Sequence, residues 1–140
     1  MAIEYSLHLC TPTHPQVISW LIAPDVWYLT HHRTATRLLI TVHPESSPNL
    51  VLGESDVSVG FRLDKVADPE PQYAEIVSIV VRILTAEPGD AMLQQDYERI
   101  QLLRRGADLQ LSDSWYWWKP ELLALIPWPY TRRDLPYPED

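Results

Sequence analysis

The sequence predicts an α+β fold: a single antiparallel-rich sheet of about five to six strands, two helices packed on one face, and a Trp/Pro-rich C-terminal strap. Three observations predict it. Apolar and polar residues alternate over Ile3–Leu9 and again over Val57–Asp64, which is the two-residue period of a half-buried strand. Apolar residues over Gln72–Ala86 recur at offsets of three and four, the stripe that a helix buries against a sheet. Beyond Asp90, three short extended segments are separated by turn residues, the pattern of a hairpin meander. The expected order is β-α-β-β-α-β-β-β.

In the opening strand Ile3, Tyr5, Leu7 and Leu9 share one side, and Glu4, Ser6, His8 and Cys10 the other. Thr13 is placed to cap a helix over His14–Ala23, with Val17, Trp20 and Leu21 as its apolar stripe, Pro15 in its first turn and Pro24 beyond its end. Val26–Leu29 reads as a short extended piece and Arg37–His43 as a strand. Two prolines, three serines, Asn49 and Gly53 make Pro44–Asp56 a loop or long hairpin connection.

In the next strand Val57, Val59, Phe61 and Leu63 define the core side. Asp68–Pro71 is a proline-bounded linker whose acidic residues suit the N-terminus of the following helix. In that helix Tyr73, Ile76, Val77, Val80, Ile83 and Leu84 form the stripe. The β-branched run Ile76–Ile83 favours a strand by propensity, but the segment's length and the Pro88-Gly89 stop favour the helix.

The meander is expected over Ala91–Gln95, Arg99–Arg104 and Asp108–Ser112, with turns at Asp96-Tyr97-Glu98 and Arg105-Gly106-Ala107. After Trp115, Tyr116, Trp117 and Trp118, a single helical unit fits Pro120–Ile126, and the prolines at 127, 129, 136 and 138 argue against regular structure. Residues 1–140 then form one domain, a core over 1–114 and a strap over 115–140.

Composition bounds the function. With 140 residues, 46% of them hydrophobic and 21% charged, the chain is long and apolar enough for one core, and it lacks the apolar run that a membrane span needs. The N-terminus has no basic, apolar export pattern, so the expected location is cytoplasmic. Cys10 is the only cysteine, which rules out an internal disulfide and zinc sites built on cysteine pairs. A net charge of −8 works against nucleic-acid binding and favours basic protein partners, although acidity also keeps ordinary proteins dispersed.

Sites of bond chemistry are hard to assemble from these residues. The four glycines, at 53, 60, 89 and 106, match no phosphate-binding loop, and no serine or cysteine sits in a nucleophile motif. His31 and His32 read as a polar loop, while His8 and His43, on the polar faces of two strands, could at most become neighbours. No cofactor or metal is expected. Asp64, Asp68, Glu70 and Glu75 crowd the start of the main helix, where carboxylates suit the helix dipole and could also meet a basic partner. Six tryptophans give the C-terminal aromatics two readings, closure of the sheet or exposed binding anchors.

An ordered series carries a family likeness: Ala2–Leu7, then Val57-Ser58-Val59-Gly60-Phe61-Arg62-Leu63-Asp64-Lys65, Val80–Leu84, Asp90–Leu93, Leu102–Gly106 and the tryptophan at 115. Across most of the chain this resembles the third class of the Sit swarming-inhibition immunity proteins of myxobacteria and their relatives. The resemblance implies a small non-enzymatic protein, encoded beside a toxin, that binds the toxin inside the producing cell and blocks it. It brings no active-site residues. Partner-binding candidates therefore come from charge and expected exposure: Asp64, Asp68, Glu70, Glu75, Trp117 and Trp118. A small-ligand module with an aromatic pocket between sheet and strap, and a small enzyme using the carboxylates or histidines, are the alternatives.

Overall fold

The computed structural model of the protein describes residues 3–26, 31–46 and 48–138. In chain order the elements are β1 (Glu4–Leu9), α1 (Pro15–Ile22), β2 (His32–Arg33), β3 (Leu39–Pro44), β4 (Val57–Arg62), α2 (Pro69–Ala86), β5 (Ala91–Gln95), β6 (Arg99–Arg105), β7 (Asp108–Ser112), α3 (Pro120–Leu123) and β8 (Thr131–Arg133). Among the described residues eight strands form one mixed sheet in the order β2-β3-β4-β1-β5-β6-β7-β8, antiparallel throughout except for the parallel pair β7–β8.

The α+β class and the predicted order are recovered, with β2 and β8 as additional strands, and the helical unit expected over Pro120–Ile126 forms as α3 over Pro120–Leu123. The expected five to six strands become eight because β2, at two residues, is too short to show a period. At Thr131–Arg133 the prolines bound a strand instead of preventing one. An edge strand needs only one row of hydrogen bonds, and Pro129 and Pro136 stand outside it. Most of the piece expected at Val26–Leu29 falls outside the described residues.

Boundary shifts have local causes. His14, not Thr13, caps α1, its Nδ1 accepting from Gln16 N at 3.0 Å. Helix α2 starts at Pro69, so the segment read as a linker is its first turn. Asp68 caps it by accepting from Glu70 N at 3.1 Å, and Pro69 and Pro71 lose no hydrogen bond there because first-turn amides have no helical partner. β3 begins at Leu39 because Arg37 turns the chain at φ 80°.

Tyr5, Leu7 and Leu9 of β1, Val57, Val59 and Phe61 of β4, and Ile76, Val80 and Ile83 of α2 share one buried cluster with Ile18 of α1 and Leu122 of α3. A second cluster lies on the other face, where Met92, Ile100, Leu103 and Leu135 pack with Val51, Leu52 and Tyr137. It roofs the β5–β6 half of that face; on the β3-β4-β1 half His8 and Ser58 are buried, while Glu4, His43 and Arg62 stay exposed. Among the described residues no helix is long and apolar enough to cross a membrane.

Gly89 marks a forced approach where β1 hands over to β5. Cys10 N donates to Asp90 O at 3.0 Å, and a Cβ on Gly89 would collide with the Cys10 carbonyl. Gly89→Ala should therefore destabilise the fold by about 1–3 kcal/mol, the usual penalty for overpacking. A lower midpoint in denaturant unfolding would show it, and an unchanged midpoint would contradict the close approach.

Candidate partner-binding surface

The four carboxylates singled out in the sequence all have internal work. Asp64 Oδ1 accepts from Val66 N at 2.9 Å, and its Oδ2 lies 3.2 Å from Arg37 Nε and 3.6 Å from Arg33 Nη1. Asp68 caps α2, Glu70 binds Lys119 Nζ at 2.9 Å, and Glu75 accepts from the hydroxyls of Thr34 and Thr36. They hold the β2–β3 loop and α3 to α2; they do not form a free acidic patch.

Trp117 and Trp118 are only 4% and 2% exposed. Trp117 Nε1 donates to Tyr5 Oη at 3.0 Å, Trp118 Nε1 donates to Gln101 O at 2.9 Å, and the Trp117 ring packs against Tyr5, Tyr73 and Trp118. Both indoles belong to the core. Their neighbours carry the exposed aromatic surface: Trp115 is 82% exposed and meets Tyr116 edge to face. The sequence placed the aromatics but could not split them, because four consecutive rings show no period.

The β3-β4-β1 half of the sheet face holds a different arrangement. There Ser6 and Gly60, His8 and Ser58, Thr41 and Gly60, and His43 and Ser58 stand opposite one another across β1, β4 and β3. His8 and His43 are thus kept apart by β4. No three His, Cys, Asp or Glu side chains among the described residues come together as a metal site. The floor forms a groove of about 310 Å³ walled by Glu45, Arg62, Asp96 and Tyr97.

Under this groove a hydrogen-bond chain runs in one direction. Tyr97 N–H donates to Gln94 Oε1 at 2.5 Å, which turns the other end of the amide, Nε2, to donate to Ser6 Oγ at 2.5 Å. Ser6 Oγ is 2.7 Å from His8 Nε2, and His8 Nδ1 is 2.8 Å from Glu45 Oε2. An ionised Glu45 carboxylate can only accept, so Nδ1 carries a proton toward it, and in the neutral ring Nε2 then accepts from the Ser6 hydroxyl.

Serine, histidine and carboxylate in line have the connectivity of a nucleophilic triad. The backbone around Ser6 does not supply the rest. β1 is paired on both edges, with β4 and β5, so its amides serve the ladders, and no turn presents Ser6. Sequence reading missed this chain. Ser6 and His8, two apart on a polar strand face, were a readable signal; Glu45, 37 residues from His8, was not. Cys10 is no better placed as a nucleophile, since burial raises its thiol pKa and its Sγ–H donates to Glu54 O at 2.7 Å.

A profile of the SitI3-like family matches residues 3–122. This chain belongs to the SitI3-like family. The matched span of the SitI3-like chain runs from β1 through α3, so it takes in the whole groove and both buried indoles. No curated protein and no solved structure matches it significantly.

Two outcomes follow from the internal contacts. Tyr5→Phe keeps the ring and removes the phenol oxygen, its pKa raised chiefly by burial, that accepts from Trp117; with a buried indole N–H left unpartnered it should cost about 1–3 kcal/mol in unfolding free energy. A loss near zero would show that the bond contributes nothing net. Asp64 has its carboxyl held below the usual range, first by the Val66 N–H and then by Arg37. A depressed carboxylate stabilises the fold above its unfolded pKa of about 3.9, and the contribution disappears as pH falls through the lower folded value. Asp64→Asn should thus be less stable than wild type at neutral pH, with the gap closing as the pH drops below about 4. Denaturant unfolding across that pH series would reveal it, and a pH-independent gap would refute the assignment.

Proposed function

We propose that this chain is a non-enzymatic immunity protein that binds a cognate polymorphic toxin in a one-to-one complex in the cytoplasm and occludes the toxin's working surface. Membership of the SitI3-like family over residues 3–122 is the observation that carries this reading. The net charge of −8 supports it, since an acidic surface speeds capture of a basic protein. The hydrogen-bond chain beneath the groove also supports it, because each member is satisfied inside the protein and the adjacent amides are committed to strand pairing.

The small-ligand reading needed a cavity between the sheet and the tryptophans. Trp117 and Trp118 fill that space with their own rings, which favours a protein partner. Co-expression tests the proposal directly. Cells making the toxin encoded beside this gene should grow when this chain is present, and the two proteins should co-purify. Failure of both rescue and co-purification would remove the immunity role.

A further inference from the structure

The groove and the hairpin at its rim break a local rule together. Asp96 and Tyr97 are the two central residues of the β5–β6 turn, closed by Glu98 N donating to Gln95 O at 2.9 Å, and both have positive φ, 50° and 55°. Such a turn is normally filled by Asn-Gly or Asp-Gly, because glycine takes this conformation without steric cost. Asp96 has a structural reason to be there: its N–H donates to Glu4 O, and its Oδ1 accepts from Glu4 N at 3.0 Å. The Tyr97 N–H is held by Gln94 Oε1, a bond that glycine would make equally well, so the backbone does not call for a tyrosine. Its ring is 61% exposed and makes only edge or tilted contacts with Tyr137 and His8.

A bulky residue held in a glycine conformation at the lip of a groove is where strain is retained for function. The groove's charge indicates what it would take. Among the described residues that line it, Glu4, Glu45 and Asp96 stand against Arg62, which lies 3.8 Å from Glu4, so carboxylates outnumber the guanidinium, and the chain too is net negative. Its floor is kept open by Gly60, where an added Cβ would sit 2.7 Å from Thr41 Oγ1. At about 310 Å³ it is at the small end of binding pockets, the scale of one or two side chains.

We propose that this groove, on the sheet face opposite the helices, receives an arginine- or lysine-bearing segment of the cognate toxin, with the Tyr97 ring as the aromatic anchor against which the cation packs. The inference rests on the immunity reading and names the surface that would carry it. It puts the contact on the groove over β1, β4 and β3 and not on the exposed Trp115–Tyr116 pair.

The test is a binding titration of the full-length chain against the purified toxin encoded beside its gene. Tyr97→Gly should weaken binding by at least about tenfold while the unfolding midpoint holds or rises, because glycine relieves the positive φ. Thr41→Arg, which fills the floor with a charge of the guest's own sign, should weaken binding to a similar extent, and wild-type affinity should fall as salt is raised. The decisive comparison is with Trp115→Ser. If that variant loses affinity while Tyr97→Gly and Thr41→Arg bind as wild type does, the groove is not the docking site and the proposal is overturned, with the immunity role intact. No binding by wild type at all would bring down the immunity role itself, and this assignment with it.

Discussion

The two-faced alternation of β1, paired on one edge with β4 and on the other with β5, is the constraint on which the rest of the structure depends. Its odd residues Tyr5, Leu7 and Leu9 are buried beneath the helices, and its even residues Ser6 and His8 look onto the opposite face. A slip of one residue would exchange the two sets, placing a serine and an imidazole in the apolar core. Both faces therefore specify the same register. On one side this is apolar burial; on the other, Gln94 must stand opposite Ser6 for the hydrogen-bond chain to close. Tyr5 adds a third condition, since its phenol oxygen is where Trp117 donates.

Through that last contact the register of β1 reaches the C-terminal segment, which grips the sheet from both faces. Trp117, Trp118, Leu122 and Ile126 join the cluster under the helices, and Leu135 and Tyr137 join the one on the opposite face. Between them β8 pairs with β7, and Asp113 N donates to Arg133 O at 2.8 Å. The chain thus passes around the β7 edge and clamps it. Helix α2 is held at both ends in a comparable way. Asp68 caps its start, and at its end the guanidinium of Arg104, on β6, donates to the carbonyls of Leu84, Glu87 and Gly89, which satisfies acceptors that a helix terminus leaves open.

What was legible in the sequence follows from which interactions are periodic. The strands from β3 to β7, β1 and the stripe of α2 were readable because each buries one face of a repeating element. The two-residue β2 and the edge strand β8 were not, since each is specified by a neighbour far away in the chain. The candidate site suffered the same limit. Asp64, Asp68, Glu70 and Glu75 were identifiable as carboxylates near a helix start, but their partners Arg37, Thr34, Thr36 and Lys119 come from other segments, so only the fold reveals that they are occupied. Likewise the partition of the aromatics, Trp117 and Trp118 inward and Trp115 and Tyr116 outward, depends on where Tyr5 and Gln101 lie.

The hairpin at Tyr97 links these two levels. A non-glycine residue in the left-handed region costs about 1–2 kcal/mol, which persists only where surrounding contacts over-determine the backbone. Here they do: Tyr97 N–H is held by Gln94, Glu98 N by Gln95 O, and Glu98 O in turn accepts from Tyr137 N at 3.3 Å. The chain of hydrogen bonds from Tyr97 to Glu45 thereby does structural work, fixing the hairpin tip and the Glu45 wall on opposite sides of one groove. Each member of that network has a partner inside the protein, so it holds a surface in shape before any partner arrives. In the recognition role proposed here, that preorganisation lowers the entropy lost on binding, which is the cost that most limits affinity for an interface of modest size.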